Sequence, residues 1–150
     1  STGTPRFSVL RNGTVTMPSQ PSFRAGTTTN SFTLAADTTF PFDSTEHNTG
    51  NCYNTSTYTF TAPVAGSYFF HFSTIHNGSV TNGHMSFLIS GSSISKGENI
   101  HYSKPSGWNV VQHSGIFYLS VGTTVAVRNH TSSQPLHGGD WASFSGHLIG

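Results

Sequence analysis

Nine histidines are the chain's largest reserve of chemistry: His47, His71, His76, His84, His101, His113, His130, His137 and His147. Imidazoles hold transition metals and change charge near neutral pH, so this number invites a metal reading. Their spacing does not assemble one. There is no His-x-His followed by Glu and no His-Glu-x-x-His, the short-range arrangements that place several ligands on one ion. The pattern names no metal ligand, and most of these side chains are expected on solvent-facing strand positions, His71 and His147 among them. Catalysis fares no better. Five acidic residues exist, Asp37, Asp43, Glu46, Glu98 and Asp140, read as loop and surface residues. No Gly-x-Ser-x-Gly elbow activates any of the many serines, so no catalytic residue is named and the chain reads as a non-enzyme.

Recognition chemistry is better represented. The segment Leu136-His137-Gly138-Gly139-Asp140-Trp141 reads as a loop that could hold a small ligand. Asp140 offers an acceptor for sugar hydroxyls, Trp141 a flat apolar face for the C–H bonds of a sugar ring, and the paired glycines a close approach to backbone. The competing reading makes Trp141 the start of the last strand, capping the core, with Gly-Gly serving the turn. Trp108, beside Gly107, is a second aromatic candidate. The proposed ligand-binding set is therefore His137, Asp140, Trp141 and Trp108.

Strands must position these groups. Large apolar residues recur at every second position in Tyr58–Phe60, Tyr68–Phe70–Phe72, Met85–Phe87–Ile89, Phe117–Leu119–Val121 and Val125–Val127, the period of a strand with one buried face. Asn77-Gly78, Asn82-Gly83, Ser90-Gly91, Lys96-Gly97, Pro105-Ser106-Gly107 and Val121-Gly122 read as turns between them. Ala62-Pro63-Val64-Ala65-Gly66 suggests a hairpin reversal between its flanking strands. Nothing reads as a helix longer than a turn or two. The chain of 150 residues fits one domain, and its 7% charged residues with abundant Ser, Thr, Gly, Asn and Phe make an all-β composition.

A net charge of +1 without a Lys/Arg cluster leaves little to attract nucleic acid. No apolar run approaches the roughly 20 residues that span a bilayer, and Ser1–Pro5 lacks a signal-peptide pattern. Cys52 is the sole cysteine, which excludes an intrachain disulfide and leaves a half-buried thiol or an interchain bridge. Sequons at Asn12, Asn54, Asn77 and Asn129 point to exposed loops.

One spaced series stands apart. Phe42, Asn48, Tyr53, Phe60 and Gly66 are separated by five, four, six and five residues, and Tyr68, Phe70 and Phe72 follow at alternate positions. This series resembles the C1q domain signature, and Phe144-Ser145-Gly146 ahead of Leu148 resembles that family's last strand. The resemblance covers about residues 23–150 and implies an antiparallel jelly-roll β-sandwich of about ten strands, related to the tumour necrosis factor fold. Residues 1–20 read as an N-terminal extension with one extra strand at Arg6–Leu10, and residues 21–150 as the C1q-like domain. Two departures stand out: the family commonly has Gly where Tyr58 stands and an aromatic where His147 stands.

The resemblance further implies a noncovalent homotrimer whose first and last strands lie near the threefold axis, with sites on end loops or between subunits. It includes complement recognition heads, secreted hormones and invertebrate lectins. The leading expectation is an extracellular, secreted lectin-like module of innate immunity that binds carbohydrate or another surface pattern. The alternatives are the trimeric tip of a bacterial or viral fibre, displayed on a virion or cell surface, and a cytokine-like receptor ligand. No cofactor is required. Calcium, which some members bind, is allowed through Asp140, though no acidic cluster demands it. There is no Gly-X-Y tract here, so the collagen stalk of many such heads is not part of this chain.

Overall fold

The period-two alternation predicted above is realised as a two-layered sandwich in the computed structural model, which describes residues 7–93, 99–131 and 133–150. Among the described residues the strands are β1 (Ser8–Val9), β2 (Val15–Thr16), β3 (Ser22–Leu34), β4 (Thr38–Thr39), β5 (Ser44–Thr49), β6 (Tyr53–Asn54) and β7 (Thr59–Thr61). They continue with β8 (Gly66–Asn77), β9 (Val80–Ile89), β10 (Ser92–Ser93), β11 (Asn99–Lys104), β12 (Trp108–Leu119), β13 (Thr124–Asn129) and β14 (Gln134–Leu148). One sheet has the order β12-β8-β14-β3-β5, and the other runs β10-β9-β13-β7-β6, with β11 on β9 and β4 on β13. All pairings are antiparallel. Successive strands β7, β8, β9, β12, β13 and β14 alternate between the sheets except where β9 to β11 stay in one. This is the jelly-roll path.

The core is aromatic. Phe40, Phe42, Phe60, Tyr68, Phe70, Phe72, Phe87 and Phe144 are fully buried, and their rings meet edge-on or offset. Phe23 lies 4.7 Å from Tyr53 and 4.9 Å from Phe144, and Phe60 lies 5.1 Å from Phe70. Each such pair contributes about 0.5–1.5 kcal/mol beyond its area burial. The signature spacing has a local cause. Asn48, at the end of β5, accepts from Tyr53 N at 3.0 Å and donates to Tyr53 O at 2.8 Å. Its side chain thereby closes the turn into β6, while Tyr53 Oη donates to Phe42 O at 3.0 Å inside the core.

Several expectations give way. Phe60 and Tyr68 do not flank a hairpin, because β7 and β8 belong to opposite sheets. Residues 62–65 carry the chain across the sandwich, and the two rings meet from opposite layers at 5.3 Å. Gly66 is needed there for space: a Cβ would sit 2.7 Å from Leu148 Cδ1 and 3.0 Å from Gly150 O. Asn82-Gly83 is not a turn but part of β9. Asn82 takes a positive φ of 56°, and a Cβ on Gly83 would overlap the Tyr102 ring packed over it. The strand read as Phe117–Val121 begins nine residues earlier as β12 and stops before Val121, which is exposed in the following turn.

The histidines are not uniformly outward: His76 is completely buried. The sequon asparagines are not uniformly accessible either, since Asn129 is buried and donates to Leu34 O, Ala35 O and Thr131 O. Within the first twenty residues, β1 pairs with β2 across the Asn12-Gly13 turn and joins neither large sheet. The Lys96-Gly97 turn and Glu98 lie outside the described residues.

Candidate functional site

Residues 136–141 do not form a loop. They lie inside β14, which pairs with β8 on one side and β3 on the other. The pairing is broken by register shifts between His137 and Gly139 and again between Gly139 and Ser143. The two glycines are the reason. A Cβ on Gly138 would collide with Thr29 O and Thr27 Cγ2, and Gly139 has a positive φ of 59°. They let the β3 backbone press against a bulge in β14, and bulges re-aim the side chains that follow.

The re-aimed side chains build an aromatic cleft. Trp108 opens β12, and His137 sits across from Ile75 of β8 and Ser31 of β3. The Trp108 and His137 rings meet perpendicular at 4.7 Å, and Trp141 stands 6.4 Å from His137 on the other side. With Ile75 these residues line a cleft of about 240 Å³. His137 is oriented by a 2.9 Å hydrogen bond between its Nδ1 and Ser31 Oγ. Both tryptophans are more than half exposed, 61% for Trp108 and 58% for Trp141. Two large aromatics held open to water around one hollow form a surface for an apolar ligand face. The idea that Trp141 caps the core fails on this exposure.

Asp140 goes elsewhere. Neighbouring residues on a strand project to opposite sides, and Asp140 lines a second, polar cleft of about 460 Å³ with Arg24, Thr28, Asn30, Ser44 and Glu46. Arg24 Nε pairs with Glu46 Oε1 at 3.1 Å, and Asp43 accepts from Thr28 N and Thr28 Oγ1, both at 2.7 Å. Three of the four sequence-predicted residues thus converge, and the fourth faces the adjoining hollow across the bulge. Ile75 and the polar group around Arg24 were missed. The outward parity of His71, Ser73 and Ile75 along β8 is the signal that could have found Ile75.

No group of three or more His, Cys, Asp or Glu is arranged to hold a metal among the described residues. Calcium takes roughly six to eight oxygen ligands. Of the two carboxylates in the polar cleft, Glu46 is engaged by Arg24, which leaves Asp140 as the unpaired carboxylate there. Cys52 is buried, with its Sγ toward Thr49 O at 3.4 Å, and burial raises its thiol pKa to about 11. A buried, protonated thiol is unsuited to an interchain bridge. Asp37 is exposed and paired with Arg128 at 3.3 Å.

The same arrangement of sheets occurs in solved structures. The globular domain of zebrafish complement 1qA protein matches with a TM-score of 0.65 at 17% identity, covering 87% of this chain and 98% of that one. Eiger TNF from S. frugiperda matches at 0.69 and 13% identity, covering 87% and 93%, and murine APRIL, in a crystal structure at pH 5.0, at 0.64 and 11%, covering 87% and 99%. At these identities the likeness concerns the fold. No curated protein sequence matches significantly. The C1q domain family model matches residues 22–149, a span that holds the whole signature from Phe42 to Phe72 and the closing strand. With that span accounted for, the chain belongs to the C1q domain family.

Proposed function

We propose that this protein is a non-enzymatic, extracellular recognition module that binds neutral glycans through the Trp108–His137–Trp141 cleft. The observation that carries this reading is the convergence of two exposed indoles and an oriented imidazole on one hollow. Indole faces pack against sugar C–H bonds. The adjoining polar cleft offers Asp140, Asn30, Ser44 and Thr28 as partners for hydroxyl groups of a neighbouring sugar unit. The chain's low charge suits an uncharged ligand. No cofactor enters the reading.

Single contacts of this kind are weak, and presentation in threes would raise their combined strength. We place self-association on the outer face of the five-stranded sheet, where Ile116, Tyr118 and Ile149 are at least half exposed beside Phe69 and His147. Tyr118 and Trp108 stand at opposite ends of β12, separated by roughly 33 Å at the rise of an antiparallel strand. The cleft therefore lies at the far end of that face from the Tyr118 cluster.

A glycan array probed with the intact protein tests the proposal. Binding to neutral oligosaccharides is expected, falling about two- to tenfold in Trp108→Ala and in Trp141→Ala, since stacking contributes about 0.5–1.5 kcal/mol per ring. Asp140→Ala should weaken it less. An array without signal from a folded, assembled protein would remove the reading and favour a fibre-tip or receptor-ligand role.

A further inference from the structure

Strand β11 is held by its ladder on β9 and by Ile100 and Tyr102 packed against the core, with histidines meeting it on both faces. Among the described residues β9 is its only partner strand. On the outer face, His101 of β11 stacks on His84 of β9 with centroids 4.1 Å apart and planes 20° from parallel. His84 in turn stacks on His130, just past the end of β13, at 4.4 Å and 24°. The three imidazoles form one column across three neighbouring segments. Polar contacts fix its members: His84 Nε2 lies 2.9 Å from Asn99 Oδ1, and His130 Nε2 lies 2.6 Å from Ser86 Oγ. On the inner face, Tyr102 of β11 packs over Gly83, and its Oη lies 3.1 Å from Nε2 of the buried His76. The other nitrogen of that ring, Nδ1, is buried without a hydrogen-bond partner among the described residues.

We propose that β11 is an acid-released edge strand, docked while these histidines are neutral and detached from β9 when they take up protons. Two imidazolium rings about 4 Å apart face to face repel, where two neutral rings attract by stacking. At one end of the column, burial and the neighbouring charges hold His130 below the ordinary histidine pKa. His130 feels Arg128, His84 and His101, opposed by Asp37, which is itself paired with Arg128 at 3.3 Å. Burial is the largest influence on His130 and lowers its pKa. On the inner face the ring of His76 is surrounded by core and meets Lys104 of β11 as its charged neighbour, and both burial and Lys104 hold it neutral. Protonating His76 would leave a cation in the core beside a lysine. Both attachments thus fail in the same direction of pH. Release would bare the edge of β9 from Val80 to Ser86, the residues that β11 now pairs, and an unpaired edge is a template for another strand.

Hydrogen–deuterium exchange of the intact protein at pH 7.4 and pH 5.0, corrected for the intrinsic pH dependence of exchange, tests this. Amides of residues 99–104 are expected to lose at least tenfold in protection at the lower pH, while β8 and β14 keep theirs. Equal protection of 99–104 at both pH values overturns the proposal, as does simultaneous loss across β8 and β14, which would mark global unfolding. His101→Asn, at an exposed position, preserves the fold and is expected to shrink the acid effect at least threefold. An undiminished effect in that variant would also overturn the role of the column.

Discussion

At the level of single residues, the signature is a set of packing and turn requirements that can be read from spacing because each is local. Asn48 closes its own turn, and Tyr53 reaches back to Phe42 across that turn. Tyr58 is the instructive departure: it holds a positive φ of 58°, a conformation in which a Cβ is penalised and glycine is not. Glycine would hold this conformation without that penalty. Tyr58→Gly is expected to stabilise the protein by up to about 1 kcal/mol, and Gly66→Ala to destabilise it by about 1–3 kcal/mol through overpacking against Leu148 and the Gly150 carbonyl. Urea denaturation of both variants measures the two effects, and a neutral Gly66→Ala would contradict the tight fit. His76 lies inward for a physical reason. Its polarity suggests exposure, but its parity with Tyr68, Phe70 and Phe72 puts it inward, and the Tyr102 hydroxyl makes that burial tolerable.

Whole strands were readable where alternation is strong and misplaced where glycine has a second use. Gly83, Gly138 and Gly139 look like turn residues, yet they admit a ring or a neighbouring backbone into a continuing strand. The register shifts in β14 that set the cleft depend on contacts with β3, more than a hundred residues away in sequence, which no local pattern encodes. The pH response belongs to the edge element β11 and its anchor. Burial lowers the pKa of His76 from 6.5 to about 4, so the folded state binds fewer protons than the unfolded chain between those values. The stability associated with a neutral His76 is therefore complete above the unfolded value and is progressively lost as pH falls from about 6.5 to about 4, by up to about 3 kcal/mol. Denaturation midpoints at pH 7.5 and 4.5 should differ accordingly, and the difference should shrink in His76→Gln. An unchanged difference in that variant would assign acid sensitivity to other groups.

Across the whole molecule, nine histidines against five acidic residues make imidazole protonation the dominant charge change between neutral and mildly acidic conditions. Assembly and ligand binding occupy opposite ends of the same sheet in this account, so they should separate by mutation. Ile116→Asp with Tyr118→Glu is expected to shift the proposed trimer to monomer in sedimentation velocity while leaving the circular dichroism of the sandwich intact; an assembly that persists would move the interface elsewhere. The chemistry of the cleft can be followed without a label, because the chain has two tryptophans and both line it. Titrating the protein with a panel of neutral oligosaccharides while recording tryptophan emission should give a saturable shift or quench for at least one sugar, at the same midpoint as its binding heat and reduced in Trp108→Phe and Trp141→Phe. Saturable binding heat with no change in tryptophan emission would place the ligand elsewhere and contradict the aromatic cleft as the recognition site.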